Sequence, residues 1–155
     1  MRRRERLALA LVRGDSVKRP PLAAEVELEI PFQDVDAMQM AWHGNYFRYF
    51  EAARSKLLRR IDYDYEQMHA SGYLWPIIET QVRFVQALRY KQRIVVNAEL
   101  TEWENRLKIE YRIRDSDSDK RLTKAYTIQC AIDARTQELQ LVSPPALLDR
   151  LKEYL

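Results

Sequence analysis

From Glu25 to Phe32 apolar and polar residues alternate, with Val26, Leu28, Ile30 and Phe32 on one side and Glu25, Glu27 and Glu29 on the other. Successive side chains of a strand point to opposite faces, so this period of two predicts a half-buried β-strand. At Asn45 the period changes. Tyr46, Tyr49, Phe50, Ala53, Leu57 and Ile61 recur at threes and fours, with Arg48, Arg54, Lys56 and Arg59 between them, which predicts a helix of about four turns with one apolar face. A second helical piece around "YEQMHASG" should stop at Gly72. "WPIIETQVRFVQAL" and "RIVVNAELTEW" are rich in β-branched and aromatic residues, and "LKIEYRIR" alternates strictly, so all three read as strands. "DSDSDK" is a hairpin tip, "AYTIQCAID" the return strand, "ARTQE" a turn, and "SPPALLDRLKEYL" a break followed by a short helix.

Strand, long helix, then four or more antiparallel strands make an α+β domain, and with a single long helix the sheet must curl around it to bury its apolar face. A chain of 155 residues, 46% hydrophobic, suits one domain. Pro20-Pro21 cannot continue a helix, so residues 1–22 read as a basic arm and 23–155 as the domain. The arm explains the high pI. Residues 1–19 hold seven basic and two acidic residues (+5), which leaves 19 basic against 21 acidic (−2) for the rest, so no nucleic-acid-binding stripe is expected across the fold. The apolar run Leu7–Val12 is shorter than an export signal needs, and no stretch matches the roughly 20 apolar residues of a membrane span, so stable membrane insertion is not expected. The single Cys130 suits a reducing, cytoplasmic setting.

The chemistry concentrates in "DVDAMQMAWHGNY", residues 34–46. If the strand persists, Asp34 and Asp36 share a face, and paired acids can act as acid and base when their environments differ. The structural alternative is a pair of turn or cap carboxylates. Met38, Met40, Ala41 and Trp42 suggest an apolar lining in which a carboxylate is costly unless used or paired. His43 precedes the helix, whose first N–H groups, from His43, Gly44, Asn45 and Tyr46, point at whatever lies beyond its end and favour negative charge there. A carboxylate seven residues upstream could then attack a polarised carbonyl or activate water beside it. His43 reads equally as a cap or a packed ring. His43 and His69 belong to no metal-binding pattern, and three glycines cannot build a phosphate cradle. Glu51 reads as an ion-pair partner of Arg54.

These motifs resemble the hotdog-fold thioesterases of the 4-hydroxybenzoyl-CoA thioesterase family, in the YbgC-like acyl-CoA/acyl carrier protein branch. That branch shows an acidic D-x-D, A-G-G-V-V-Y-H, N-Y and F-E-x-A-R; here Asp34-Val35-Asp36-Ala37, Trp42-His43, Asn45-Tyr46 and Phe50-Glu51-Ala52-Ala53-Arg54 stand in register with it. The resemblance covers roughly residues 24–151. It implies a curved antiparallel sheet around one central helix, with Asp36 as the catalytic carboxylate and His43 as the assisting residue whose N–H polarises the thioester carbonyl. It also implies a homodimer or homotetramer with the site at a subunit interface, and neither metal nor organic cofactor. The chain departs from the pattern where Met38 and Gln39 replace two glycines, where Phe32 replaces a tyrosine, and where Lys91-Gln92 replaces a Gly-Asp turn. Met38, Gln39, Met40 and Trp42 are therefore expected to line the substrate pocket.

The expected activity is hydrolysis of an acyl thioester of CoA or acyl carrier protein, with Asp36 as nucleophile or general base. Two alternatives remain: a hotdog β-hydroxyacyl dehydratase, and a sensor that binds acyl thioesters without cleaving them. Arg89, Lys91 and Arg93 either meet phosphates near the pocket mouth or form a solvated face.

Overall fold

The computed structural model describes residues 21–154; residues 1–20 of the predicted basic arm lie outside them. In chain order the elements are β1 (Ala23–Glu29), α1 (Tyr46–Arg59), α2 (Tyr65–Ala70), β2 (Tyr73–Leu74), β3 (Ile77–Phe84), β4 (Arg93–Glu102), β5 (Leu107–Asp115), β6 (Arg121–Gln129), β7 (Ile132–Asp133) and α3 (Pro145–Leu151). Five strands form one antiparallel sheet in the order β1-β4-β5-β6-β3, while β2 and β7 form a separate small pair. This is the α+β hotdog arrangement expected from the sequence.

Alternation along the strands decides which face is buried. Ile94, Val96, Ala98 and Leu100 of β4 and Leu107, Ile109, Tyr111 and Ile113 of β5 face inward, whereas their neighbours in sequence face solvent. Helix α1 covers the β1–β4 side of that inner face with Phe50, Ala53, Leu57 and Leu58, and the Phe50 ring stacks on Tyr111 at 4.8 Å. Burying such side chains is worth about 1.5–3 kcal/mol each, so the seam holds the helix against the sheet. Asp64 then turns the chain: it caps α2, in a capping box with Gln67, and accepts hydrogen bonds from Ser55 and Arg59 of α1.

Two expectations fail at the end of β1. The strand stops at Glu29, and Phe32 is 74% exposed rather than on the buried face with Ile30. Pro31 has no N–H for a ladder bond, and the chain instead closes a 3-10 turn at Phe32–Asp34. Asp34 and Asp36 consequently do not lie on a continuation of β1.

Candidate active site

Residues 34–42 fold into a tight hairpin between β1 and α1. The Trp42 N–H donates to the Asp34 carbonyl (2.8 Å), the Asp36 N–H donates to the Met40 carbonyl (3.0 Å), and Val35 bridges Ala41 between them. Ala37, Met38 and Gln39 form the tip, closed by the Gln39 N–H on the Asp36 carbonyl (2.9 Å). The segment between β3 and β4 supports this hairpin: the Ala41 N–H donates to the Leu88 carbonyl (2.8 Å), and Arg89 Nη1 donates to the Gln39 carbonyl (3.2 Å).

Gln39 stands at φ 61° and Lys91 at φ 65°. Both occupy places where the resembled pattern has glycine, and both keep the left-handed backbone that glycine adopts without steric cost. The special conformation has survived the loss of the glycines, at a cost of about 1 kcal/mol per residue.

The two acids of the hairpin are treated differently. Asp34 is 3% exposed; its carboxylate accepts from Arg48 Nη2 and from the Tyr49 hydroxyl (2.6 Å), and its carbonyl also accepts from Asn45 Nδ2 (2.9 Å). Burial, reinforced by the Asp34 carboxylate, pushes the Tyr49 phenol well above its ordinary range, so it stays a donor. Asp36 is only partly buried. Its Oδ1 accepts the Met38 N–H (2.8 Å), and its Oδ2 has no partner among the described residues.

At the helix start the Asn45 N–H donates to the Trp42 carbonyl (2.9 Å) and the Tyr46 N–H to the His43 carbonyl. Of the four N–H groups expected to face a substrate, those of Asn45 and Tyr46 are thus taken by a 3-10 turn. The N–H groups of His43 and Gly44 have no acceptor among the described residues. Asn45 serves the scaffold with its side chain too, its Oδ1 accepting from Arg48 (3.0 Å). Tyr46 is buried and its ring meets Phe84 of β3 at 4.9 Å. The Trp42 ring lies so close to Gly44 that a Cβ there would sit 2.2 Å from it, so residue 44 must be glycine for the indole to cover the helix end. The His43 imidazole is exposed beside that indole (5.0 Å between centroids) and forms no hydrogen bond to Asp36.

Met38 and Gln39 project from the exposed tip, Met40 is half-buried, and Trp42 is 50% exposed. The four predicted wall residues therefore lie at or near the surface of the hairpin, open to solvent to different degrees. The predicted Glu51–Arg54 pair is not formed. Arg54 is buried and donates to the hydroxyls of Tyr65 (2.9 Å) and Tyr111, while Glu51 accepts from Tyr65 (3.2 Å). Arg48 and Tyr49 as partners of Asp34, and the Leu88–Arg89 support, leave no signal in the sequence, because none of these contacts is local along the chain. Among the described residues no cluster of three or more His, Cys, Asp or Glu is placed to hold a metal ion.

A family model described as the thioesterase-like superfamily matches residues 30–151, a span that includes the whole hairpin and all of α1. The chain belongs to this superfamily. It is 28% identical over 125 residues to an Aquifex aeolicus protein provisionally described as an esterase, covering 80% of this chain and 94% of that one. It is 26% identical over 77 residues to YneP of Bacillus subtilis, provisionally described as an acyl-CoA thioesterase, a match spanning half of this chain and 56% of that relative. Among solved structures, Slr0204 of Synechocystis, a 1,4-dihydroxy-2-naphthoyl-CoA thioesterase, superposes with a TM-score of 0.74 over 83% of this chain and 95% of its own, at 16% identity. The superposition supports the fold, and the superfamily membership agrees with the acyl thioester hydrolase reading of the sequence. No helix among the described residues is long and apolar enough to cross a membrane.

Proposed function

We propose that this protein releases a carboxylic acid from an acyl thioester of CoA or acyl carrier protein, with Asp36 delivering the attack and the His43 and Gly44 N–H groups receiving the carbonyl oxygen. The observation that carries this reading is the pairing, within one hairpin and the turn that follows it, of a carboxylate oxygen and two helix-end donors that have no partner among the described residues. The thioester carbonyl lies at the helix end, where preorganised N–H groups and the helix dipole stabilise the developing oxyanion. Asp36 either attacks the carbonyl carbon or takes a proton from the water that does; the C–S bond breaks, the thiolate leaves as thiol after gaining a proton, and water supplies the hydroxyl of the acid. His43, exposed beside Trp42, is positioned to supply or orient that proton. Trp42 shields the helix end from bulk water, which strengthens the N–H donors.

The reading includes a homodimer, or a homotetramer built from dimers, whose second copy covers the exposed hairpin residues. Its support is strand β3, an unpaired sheet edge among the described residues, and the exposed apolar groups Ile78, Phe84 and Val85 on and just after it, with Trp42 and Phe47 also exposed. Light scattering should give a particle of at least two chains; a stable monomer that hydrolyses thioesters would refute this part. The catalytic part is tested by a thiol-release screen across aryl, short-chain and long-chain acyl groups on both carriers. Thiol release supports hydrolysis. An enoyl thioester formed without thiol would replace it with dehydration, and ligand bound but unchanged would replace it with a sensor. The partly buried, unpaired Cys130 fits an enzyme of the reducing cytoplasm.

A further inference from the structure

Between β7 and α3 the chain exposes Leu139 (53%), Leu141 (81%) and Val142 (60%) within four consecutive residues. The backbone holds this strip in place. The Gln140 N–H donates to the Ala131 carbonyl (2.8 Å) and the Ser143 N–H to the Glu104 carbonyl (2.8 Å), so the strip is pinned at both ends. Leu74 pairs with Ile132, and Ile132 bridges Leu139. Residues directly opposite across strands share a face, so Leu74, Ile132 and Leu139 make an apolar row that Leu141 and Val142 extend. A fixed, contiguous apolar surface of this kind marks a contact site.

The strip lies beside the point where the N-terminal arm joins the domain. The Leu100 N–H donates to the Leu22 carbonyl (2.9 Å), and Ala23 stands opposite Glu99. Because β1 and β4 are antiparallel, the chain preceding Leu22 heads toward Glu102 and the β4–β5 turn, whose Glu104 carbonyl holds Ser143. The arm carries the apolar run LALALV at residues 7–12, with Arg2, Arg3, Arg4 and Arg6 before it and Arg13 after it. Residues 13–20, between that run and the domain, can span up to about 28 Å when extended, enough to round the turn. Charge agrees with reach. Glu138 and Glu104 stand at the two ends of the strip, both exposed and neither in an ion pair among the described residues.

We infer that residues 7–12 of this chain's own arm cover the strip at residues 139–142, with the arm's flanking arginines meeting Glu104 and Glu138. A tethered segment whose attachment points it at the strip acts at a high effective concentration, which favours it over a second copy or a lipid surface that must arrive by diffusion. Burial of the leucines supplies the attraction, and the charges set its placement. The strip is separate from the β3 edge offered above to a partner copy, and the docking needs no thioester chemistry.

The test uses the full chain and reads hydrogen exchange at both surfaces. In the arm variant Leu7→Ser/Leu9→Ser/Leu11→Ser, amides of residues 139–142 should exchange about tenfold faster than in wild type; in the strip variant Leu141→Ser/Val142→Ser, amides of residues 7–12 should speed up by a similar factor. Combining the two sets should add nothing further. The strip variant replaces exposed side chains, so it is expected to fold, and a second measurement is independent of both variants. A nitroxide on Ala10→Cys, in a Cys130→Ser background, should broaden the amide signals of residues 139–142 of its own chain, and the broadening should be absent when isotope-labelled unmodified chains are mixed with spin-labelled unenriched ones. Wild-type residues 7–12 exchanging as fast as a free peptide would overturn the inference. Broadening in the mixed sample would assign the strip to a second copy, and protection that appears only with phosphatidylcholine–phosphatidylglycerol vesicles would assign it to a lipid surface; either result overturns docking of the chain's own arm.

Discussion

Asp34 and Asp36 belong to one hairpin, two residues apart, and have little else in common. Asp34 is buried with both carboxylate oxygens and its carbonyl occupied by groups from the start of α1, so it ties the hairpin to the helix. Asp36 lies nearer solvent, with one oxygen held by its own turn and one without a partner among the described residues. A buried carboxylate with both oxygens engaged is a strut, while one held on a single side is oriented and still able to react. The acid committed to structure serves the reaction proposed for Asp36, because it fixes the turn that carries Asp36 relative to the helix end that would hold the oxyanion.

The comparison breaks most sharply at Asp36. Asp36→Asn keeps the shape and the Met38 hydrogen bond, so thiol release should fall about 10²–10⁴-fold while the melting temperature stays close to wild type. Asp34→Ala should do the reverse in kind, costing about 2–4 kcal/mol in a denaturant titration because Tyr49 and Arg48 lose their acceptor; the half-solvated Arg48 keeps the value at the lower end of that for a buried pair. Its turnover should fall as well, as a consequence of the displaced helix end.

Gly44→Ala comes next. The added methyl would meet the Trp42 ring and displace it from the helix end, so kcat should drop roughly tenfold. Restoring part of that loss with Trp42→Ala in the same chain would identify the clash as the cause. The smallest effect is expected at the hairpin tip. Gln39→Gly removes the left-handed strain and adds unfolded-chain entropy, for a net gain of about 0.5 kcal/mol in the same titration.

The fold was legible because its signals are periodic: the strict alternation of Leu107–Arg114 and the three-and-four spacing from Tyr46 to Ile61 each name an element and its buried face. The end of β1 was misread because the alternation continues through Phe32, whereas the single missing N–H of Pro31 redirects the backbone. At the site, the spacing of Asp36 and His43 relative to the helix start was readable. The narrowing of the helix-end donors to His43 and Gly44 was not, since it depends on a 3-10 turn that leaves no mark in residue type. Glu51 and Arg54 show the limit of local rules: at i and i+3 they look like an ion pair, yet Arg54 points inward to Tyr65 and Tyr111, residues 11 and 57 positions away.

The central claim, that the hairpin divides its two carboxylates between reaction and structure, is tested most directly by measuring thiol release and melting temperature side by side on Asp34→Asn and Asp36→Asn. The account predicts that the Asp36 variant melts like wild type and loses turnover by at least two orders of magnitude, while the Asp34 variant shows the larger loss of melting temperature. Near-wild-type thiol release by a folded Asp36→Asn protein would contradict it.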